Sequence, residues 1–486
     1  MTLTQPLVAA ADKTEEPGRH RRTAFACAAC AILVLLVASA YRVATFLAAR
    51  RPYPPAHTPS SELIRGVSLG GWLVLEAFIT PSLFARANDM SRALGGGRPS
   101  CPGLIVDQWS LHACLGANRS LELLAPHWRG WVSRDDLHRL RASGINTVRV
   151  PLPYWLVDIQ DGEPWVGQAQ MADALRRALV WCVELGLKVF VDLHAAPGSQ
   201  NGFDNSGRMG ATEWQAADAS GQLRNLGRTL EVWRRLIALL AHAAAEAGVA
   251  TESMLSGVEV VNEAPWFDPN IDRDVLRAFI VDAYFELRAK LGDTVAIYFH
   301  DGFSPHAWSD FLQGARFVNV RLDRHEYQTF DAGEVRWPSS KHLRLACEQA
   351  FSIEQNIRTH RTVVGEFSLA TNDCDPWLNG YGKGSRYEGT PPFDDHPAVG
   401  SCEPLRRADK FAPAYHAFLR RYAEAQMRSW DVGDGWIFWN FKTEGGCAPH
   451  FDYLLGVSEG YLPPLAGIYM EPAGGCPAHL RRTMVR

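Results

Sequence analysis

Residues Met171 to Gln200 read MADALRRALVWCVELGLKVFVDLHAAPGSQ. Up to Leu185 the apolar residues recur every three or four positions, as on one face of an amphipathic helix, and Gly186 stops that helix. Lys188 to Leu193 then forms a nearly unbroken apolar run, which is how a strand covered on both faces reads. The run gives out at His194, a polar side chain at the point where the strand must end. Helix, tight stop, buried strand and polar strand end together make the repeating unit of a parallel sheet with helical crossovers.

The same alternation extends in both directions. Strands are expected at Ile64 to Leu69, Thr147 to Val150, Gly257 to Val261, Val295 to Phe299, Phe317 to Leu322, Thr362 to Val364 and Gly435 to Trp439, making eight in all. Helices are expected at Asp135 to Ala142 with Ser133 as cap, Leu226 to Ala247, Asp274 to Leu291 and Lys410 to Trp430. Eight strands with intervening helices predict an α/β fold, a (β/α)8 TIM barrel with enlarged loops; a doubly wound sheet is the alternative.

The chain has 486 residues, 47% of them apolar and 21% charged, enough to bury a large core. Lys and Arg total 49 against 53 Asp and Glu, so no phosphate-tracking surface is indicated and nucleic acid is not an expected partner. Aromatic residues make up 10% and raise carbohydrate as a candidate, since sugar rings stack on flat apolar faces.

From Thr23 to Tyr41 no residue is charged, a length that suits a helix crossing a bilayer, with Arg19, Arg21 and Arg22 before it. The expected organisation is a cytoplasmic tail at 1–22, a transmembrane signal-anchor at 23–49, a Pro-rich stalk at 50–61 and the barrel domain at 62–486. That makes the protein a single-pass type II protein of the cell membrane with its barrel domain outside. Ala38-Ser39-Ala40 also fits a signal-peptidase site, which would give a secreted protein instead. Asn118-Arg119-Ser120 is a glycosylation acceptor in that compartment. A monomer is expected.

In a barrel the functional groups gather where strands end. There the sequence places Glu76 after the first strand, Arg149 at the end of the second, His194 at the third and Asn262-Glu263 at the fourth. His325 and Tyr327 follow the sixth, Glu366 the seventh and Trp439 the eighth. Glu263 and Glu366 lie on strands expected to face each other, and a pair of carboxyls flanking one bond is what glycoside hydrolysis requires. Arg149 is expected to hold Glu366 ionised, and reduced solvation with neighbouring carboxylates to keep Glu263 protonated.

Seven segments carry a resemblance: RGVSLGGWLVLEAFITPSLF (Arg65 to Phe84), GINTVRVPLPYW (Gly144 to Trp155), DLHAAPGSQNGFDNSG (Asp192 to Gly207), VVNEAPWF (Val260 to Phe267), DRHEYQTF (Asp323 to Phe330), VVGEFSLATNDCDPWLNG (Val363 to Gly380) and GWIFWNFKTE (Gly435 to Glu444). Together they closely resemble the fungal-type exo-β-1,3-glucanases of glycoside hydrolase family 5, from about Arg65 to the C-terminus. The membrane-anchored glucan 1,3-β-glucosidases of the D type are similar in also carrying an N-terminal apolar span. The resemblance implies that Glu263 is the acid/base and Glu366 the nucleophile of a retaining, exo-acting enzyme. This enzyme would release glucose from the non-reducing ends of β-1,3-glucan in cell-wall glucan processing, with no cofactor and no metal. It also implies that Asn262 bonds the sugar 2-hydroxyl, that Glu76 and His194 bind hydroxyls, and that Arg149 and Tyr327 orient Glu366. His325 would complete the ring, Trp439 form the floor, and Phe203 and Phe330 clamp the next sugar.

In the pattern of that family Cys374 pairs with Cys402 and Cys347 with Cys476; Cys101 with Cys114 is suggested by proximity in sequence alone. Cys182 reads as a core thiol, and Cys447 has no evident partner. The chain departs from the family at Ala264, Arg324, Phe367 and Asn440-Phe441, changes expected to reshape the subsites beyond the first glucose, and Gly95 to Leu124 reads as an insertion. Three other readings stay open. Asp192-Leu193-His194 and Asp323-Arg324-His325 pair an acid with an imidazole two residues apart, as a metal-dependent hydrolase would. A non-catalytic glucan-binding barrel, or a β-glucan transglucosylase, would share much of the same surface.

Overall fold

The computed structural model describes residues 63–95, 101–210, 212–395, 397–465 and Cys476. Eight parallel strands close into a barrel in chain order: β1 Ile64–Ser68, β2 Thr147–Pro153, β3 Lys188–Ala195, β4 Leu255–Glu259, β5 Ala296–His300, β6 Val320–Glu326, β7 Arg361–Phe367 and β8 Gly435–Phe438. Closure runs through β1 and β8, with Ile64 opposite Gly435 and Val67 opposite Phe438, which excludes the doubly wound alternative. Strand β2 continues three residues past its expected end, Pro151 and Pro153 pairing with Asp192 and Ala195.

Ten helices lie among the described residues: α1 Pro81–Ala93, α2 Gln108–Gly130, α3 Arg134–Ala142, α4 Gln168–Glu184, α5 Arg224–Glu246, α6 Thr251–Met254, α7 Arg273–Leu291, α8 Ser339–Asn356, α9 Pro413–Trp430 and α10 Tyr453–Glu459. The expected helices correspond to α3, α4, α5, α7 and α9. Ser133 caps α3 as anticipated, its hydroxyl accepting from the Asp136 amide while the Asp136 carboxylate answers the Ser133 amide. Helix α5 buries Val232, Trp233, Leu236, Ile237 and Leu240, each contributing about 1.5–3 kcal/mol. Trp233 Nε1 donates to the Val260 carbonyl at 2.8 Å and so pins the segment that leads to Asn262 and Glu263.

The expected insertion folds mainly as α2, and the Cys101–Cys114 disulfide ties its start to the preceding loop. Cys347–Cys476 and Cys374–Cys402 are also bonded, while Cys182 and Cys447 are free. Asn118 is exposed on α2, although the Ser120 of its acceptor triplet is fully buried. No described helix is long and apolar enough to cross a membrane. The span at 23–49 and the stalk at 50–61 lie outside the described residues.

Inward-facing residues alternate along each strand, and they change character partway up. Near the start of the strands Ile64, Phe190, Ala296, Tyr298, Val363 and Ile437 form an apolar plug. Two residues farther on, Asp192, His300 and Trp439 replace Phe190, Tyr298 and Ile437, and Glu259 and Asp323 lie beside them, all buried.

Candidate active site

The charged layer is organised by Arg149, which is fully buried. It lies in the middle of β2 and not at its end, so the guanidinium projects into the barrel from below the mouth. Its Nη1 donates to Glu366 Oε1 at 2.5 Å, and its Nη2 to Asn262 Oδ1 at 2.8 Å and Glu259 Oε2 at 2.9 Å. Asp192 Oδ2 stands 3.3 Å from Nη2. A guanidinium is the one side chain that serves this many acceptors from a single rigid plane.

Glu366 takes its second hydrogen bond from the Tyr327 hydroxyl, at 2.8 Å on Oε2. Its position depends on a register shift between β6 and β7 at Arg324 and His325. The preceding Gly365 is required for packing: a Cβ there would sit 2.2 Å from the Asp323 carboxylate, which instead accepts from the Gly365 amide at 2.8 Å.

Glu263 sits past the end of β4 with φ +42°, a left-handed conformation that a non-glycine residue adopts at a cost and that clusters at functional sites. His325 Nδ1 donates to its Oε1 at 2.8 Å and Asn205 Nδ2 to its Oε2 at 2.9 Å. The same Nδ1 is 3.5 Å from Glu366 Oε2. One nitrogen therefore touches both carboxylates.

These contacts overturn the expectation that Glu263 is protonated. Burial does push its carboxyl up, but the hydrogen bond and charge of His325, with His300 and the Asn205 amide, outweigh that and hold it at about 2. Burial alone would lower His325, yet Glu366, Glu263 and Asp323 raise it to about 10. The sequence reading counted neighbouring acids and missed that an imidazole intervenes. Beneath them Glu259 is raised well above the carboxylate range by burial and by Asp323, and Asp323 is raised to about 6, chiefly by burial.

The remaining expected residues converge here. Trp439 lies parallel to the His194 ring at 5.3 Å and under the Arg149 guanidinium. His194 Nδ1 is bonded to Asp192 Oδ2 at 2.7 Å. Buried Glu76 is raised by desolvation and then by Asp204, Glu366 and Glu263, which places it in the same field. Phe203 and Phe330 are 40% and 45% exposed, Phe330 packing edge-on against Tyr327. Asn262 Nδ2 and His194 Nε2 are buried and have no hydrogen-bond partner among the described residues.

Sequence reasoning left Asn205, Asp204, Glu259 and His300 without a role. The first two stand in the quoted Asp192 to Gly207 segment, and Glu259 and His300 are polar residues at the ends of buried strands, a signal that could have found them. Departures at Phe367 and Arg324 do not reach the site: Phe367 packs on Trp430 of α9, and Arg324 bonds Ser352 and Asn356 of α8. Alternation accounts for this, because the residues flanking inward Glu366 and His325 face the helices.

Glu263, His300 and His325 also approach one another closely enough to hold a metal ion. However, His300 Nδ1 accepts from the Gly302 amide at 3.0 Å, which puts the proton of the neutral ring on Nε2, and both Glu263 oxygens already accept hydrogen bonds. The cluster reads as a hydrogen-bonded Glu263–His325 pair beside a neutral imidazole.

No protein-family profile matches the chain. Curated relatives do. The glucan 1,3-beta-glucosidase of Candida oleophila is 36% identical over 409 residues, 83% of this chain and 89% of that protein. The one of Blumeria graminis is 37% identical over 401 residues, 81% of this chain and 86% of its own. Among solved structures, the rutinosidase from Aspergillus niger superposes with a TM-score of 0.59 at 17% identity, covering 82% of this chain and 98% of that one, a likeness of fold.

Proposed function

This chain belongs to the glucan 1,3-beta-glucosidase family, and from that membership we propose that it is a retaining, exo-acting hydrolase that releases glucose from the non-reducing ends of β-1,3-glucan. The observation that carries the mechanism is the shared contact of Glu263 and Glu366 with His325 Nδ1, at 2.8 and 3.5 Å. One ring nitrogen within reach of both carboxyls keeps them close together, which supports the short separation of a retaining pair over the wider gap of roughly 6.5–9.5 Å that an inverting enzyme needs for its water.

Glu366, held by Arg149 and Tyr327, attacks the anomeric carbon. Glu263 protonates the departing oxygen and then activates the water that releases glucose. With Nδ1–H donating to Asp192, His194 Nε2 is an acceptor, and Asn262 Nδ2 a donor, that sugar hydroxyls would satisfy. Trp439 offers a floor, Glu76 a further hydroxyl contact, and the exposed Phe203 and Phe330 rings a clamp for the next sugar. A type II anchor at 23–49 with the catalytic domain outside the cell, and a role in the cell wall, complete the proposal. The uncharged stretch from Thr23 to Tyr41 and the three disulfides support that location.

Incubation with laminarin, followed by proton NMR of the first-formed anomer, tests the reading. The expected product is β-glucose alone. Initial α-glucose would refute retention, and early oligosaccharides would refute exo action.

A further inference from the structure

We propose that in the free enzyme the proton which Glu263 delivers to the departing sugar is stored on His325 and passes to Glu263 along the hydrogen bond that joins them. This deepens the function proposed above and rests on the acid role assigned there to Glu263.

The geometry of Glu263 argues for it first. Both carboxylate oxygens accept hydrogen bonds, Oε1 from His325 Nδ1 and Oε2 from Asn205 Nδ2. A carboxylic acid must donate from one oxygen, so a protonated Glu263 would face a donor head-on. Asn205 cannot yield, because its Oδ1 accepts from Asn201 Nδ2 at 3.2 Å, which fixes the amide with its NH2 toward Glu263. His325 can change from donor to acceptor at Nδ1, and does so by giving up the proton.

The surroundings of His325 point the same way. From β7, Glu366 lies 3.5 Å from Nδ1; on its own strand, Asp323 Oδ2 lies 4.0 Å from Nε2; past β4, Glu263 is hydrogen-bonded, while Glu259, pushed up by burial, stands beneath without adding a charge. Opposing them are Arg149 of β2, already engaged by Glu366, Glu259 and Asp192, and the His300 ring of β5 at a centroid distance of 4.4 Å. Burial lowers His300 well below its ordinary range, so this second imidazole is neutral. Carboxylates thus dominate around a fully buried ring, and the imidazolium is the favoured state.

The transfer is a simple exchange. The Nδ1–H bond breaks with its electron pair left on the imidazole, an O–H bond forms on Glu263, and the ion pair becomes a neutral pair. As the glycosidic C–O bond breaks toward the leaving oxygen, that oxygen takes the proton from Glu263 and Glu366 bonds to the anomeric carbon. In the second half, water adds to that carbon as Glu366 leaves with its bonding electrons. The water proton goes to Glu263 and back to His325 Nδ1.

His325→Asn tests this, since an amide donates to Glu263 but holds no transferable proton. On the full chain with laminarin, the pH profile of kcat/KM is expected to fall in the wild type only at alkaline pH. In the variant the basic limb should move down by about four pH units, to near pH 6, a loss of about 100-fold at pH 8 that acidification to pH 5 largely repairs. A loss equal at every pH would mark a structural role and overturn the proposal, as would an unmoved basic limb.

Should the variant not fold, nitrogen-15 NMR of the histidine-labelled wild type decides. One imidazole with both nitrogens protonated at pH 8, titrating lower in Glu263→Gln, is expected, and no charged histidine at pH 8 would overturn it. Glu263→Gln also isolates the parent reading: if that variant keeps its laminarin turnover, Glu263 is not the acid, whatever His325 carries.

Discussion

The lower and upper halves of the barrel interior are built by the same strands with the same alternation, yet they are opposite materials. Below, Phe190 packs against Tyr298 at 4.8 Å among Ile64, Val363 and Ile437. Above, Arg149, Asp192, Glu259, Asp323, His325 and Glu366 share one buried network around a single guanidinium. The plug holds by apolar burial, which is indifferent to pH. The network holds by pairing charges that would each be costly to bury alone. A stable floor and a reactive ceiling can therefore be changed separately, and mutations should sort accordingly.

The largest effect is expected from Glu366→Ala, which removes the attacking carboxylate. Laminarin turnover should fall by about 10⁴-fold or more while circular dichroism stays that of the wild type. Near-normal turnover would break the assignment of the upper layer as the reacting one. Arg149→Met should affect both halves of the comparison, since it strips several buried carboxylates of their cation. A stability loss of about 3–5 kcal/mol in denaturant titration, accompanied by lost turnover, is expected.

Phe190→Ala sharpens the contrast from below. A cavity in the plug should cost about 3 kcal/mol in the same titration, while kcat per folded molecule and its pH profile stay unchanged. A shifted profile would mean that the plug also tunes the charges above it. The smallest effect belongs to the exposed rim: Phe203→Ala or Phe330→Ala should raise KM for laminari-oligosaccharides by about fivefold, with hydrolysis of an aryl glucoside little changed. Stacking contacts of about 1 kcal/mol set that scale.

How much of this was legible beforehand follows the same division. Strands and their polar ends could be read because a run such as Lys188 to Leu193 has no other physical meaning and His194 interrupts it. Glu263 and Glu366 followed from position alone. Helix α8 was missed because its buried face uses His342, Ala346, Cys347, Ala350 and Ile353, a helical period written in weakly apolar letters. The extension of β2 was missed because Pro151 and Pro153 ordinarily end a strand. The protonation of Glu263 could not be read at all. It depends on which atom of His325 faces which oxygen, and that is settled by a register shift between β6 and β7.

The loop after β3 has a bearing on how such an enzyme can change. Within three consecutive residues it presents an exposed ring at Phe203, a carboxyl near Glu76 at Asp204 and the amide that grips Glu263 at Asn205. Adaptation to a new polysaccharide by editing that loop would retune the acid in the same stroke. Breadth of diet and speed of bond cleavage are thus inherited together, and separating them would call for changes elsewhere around the mouth.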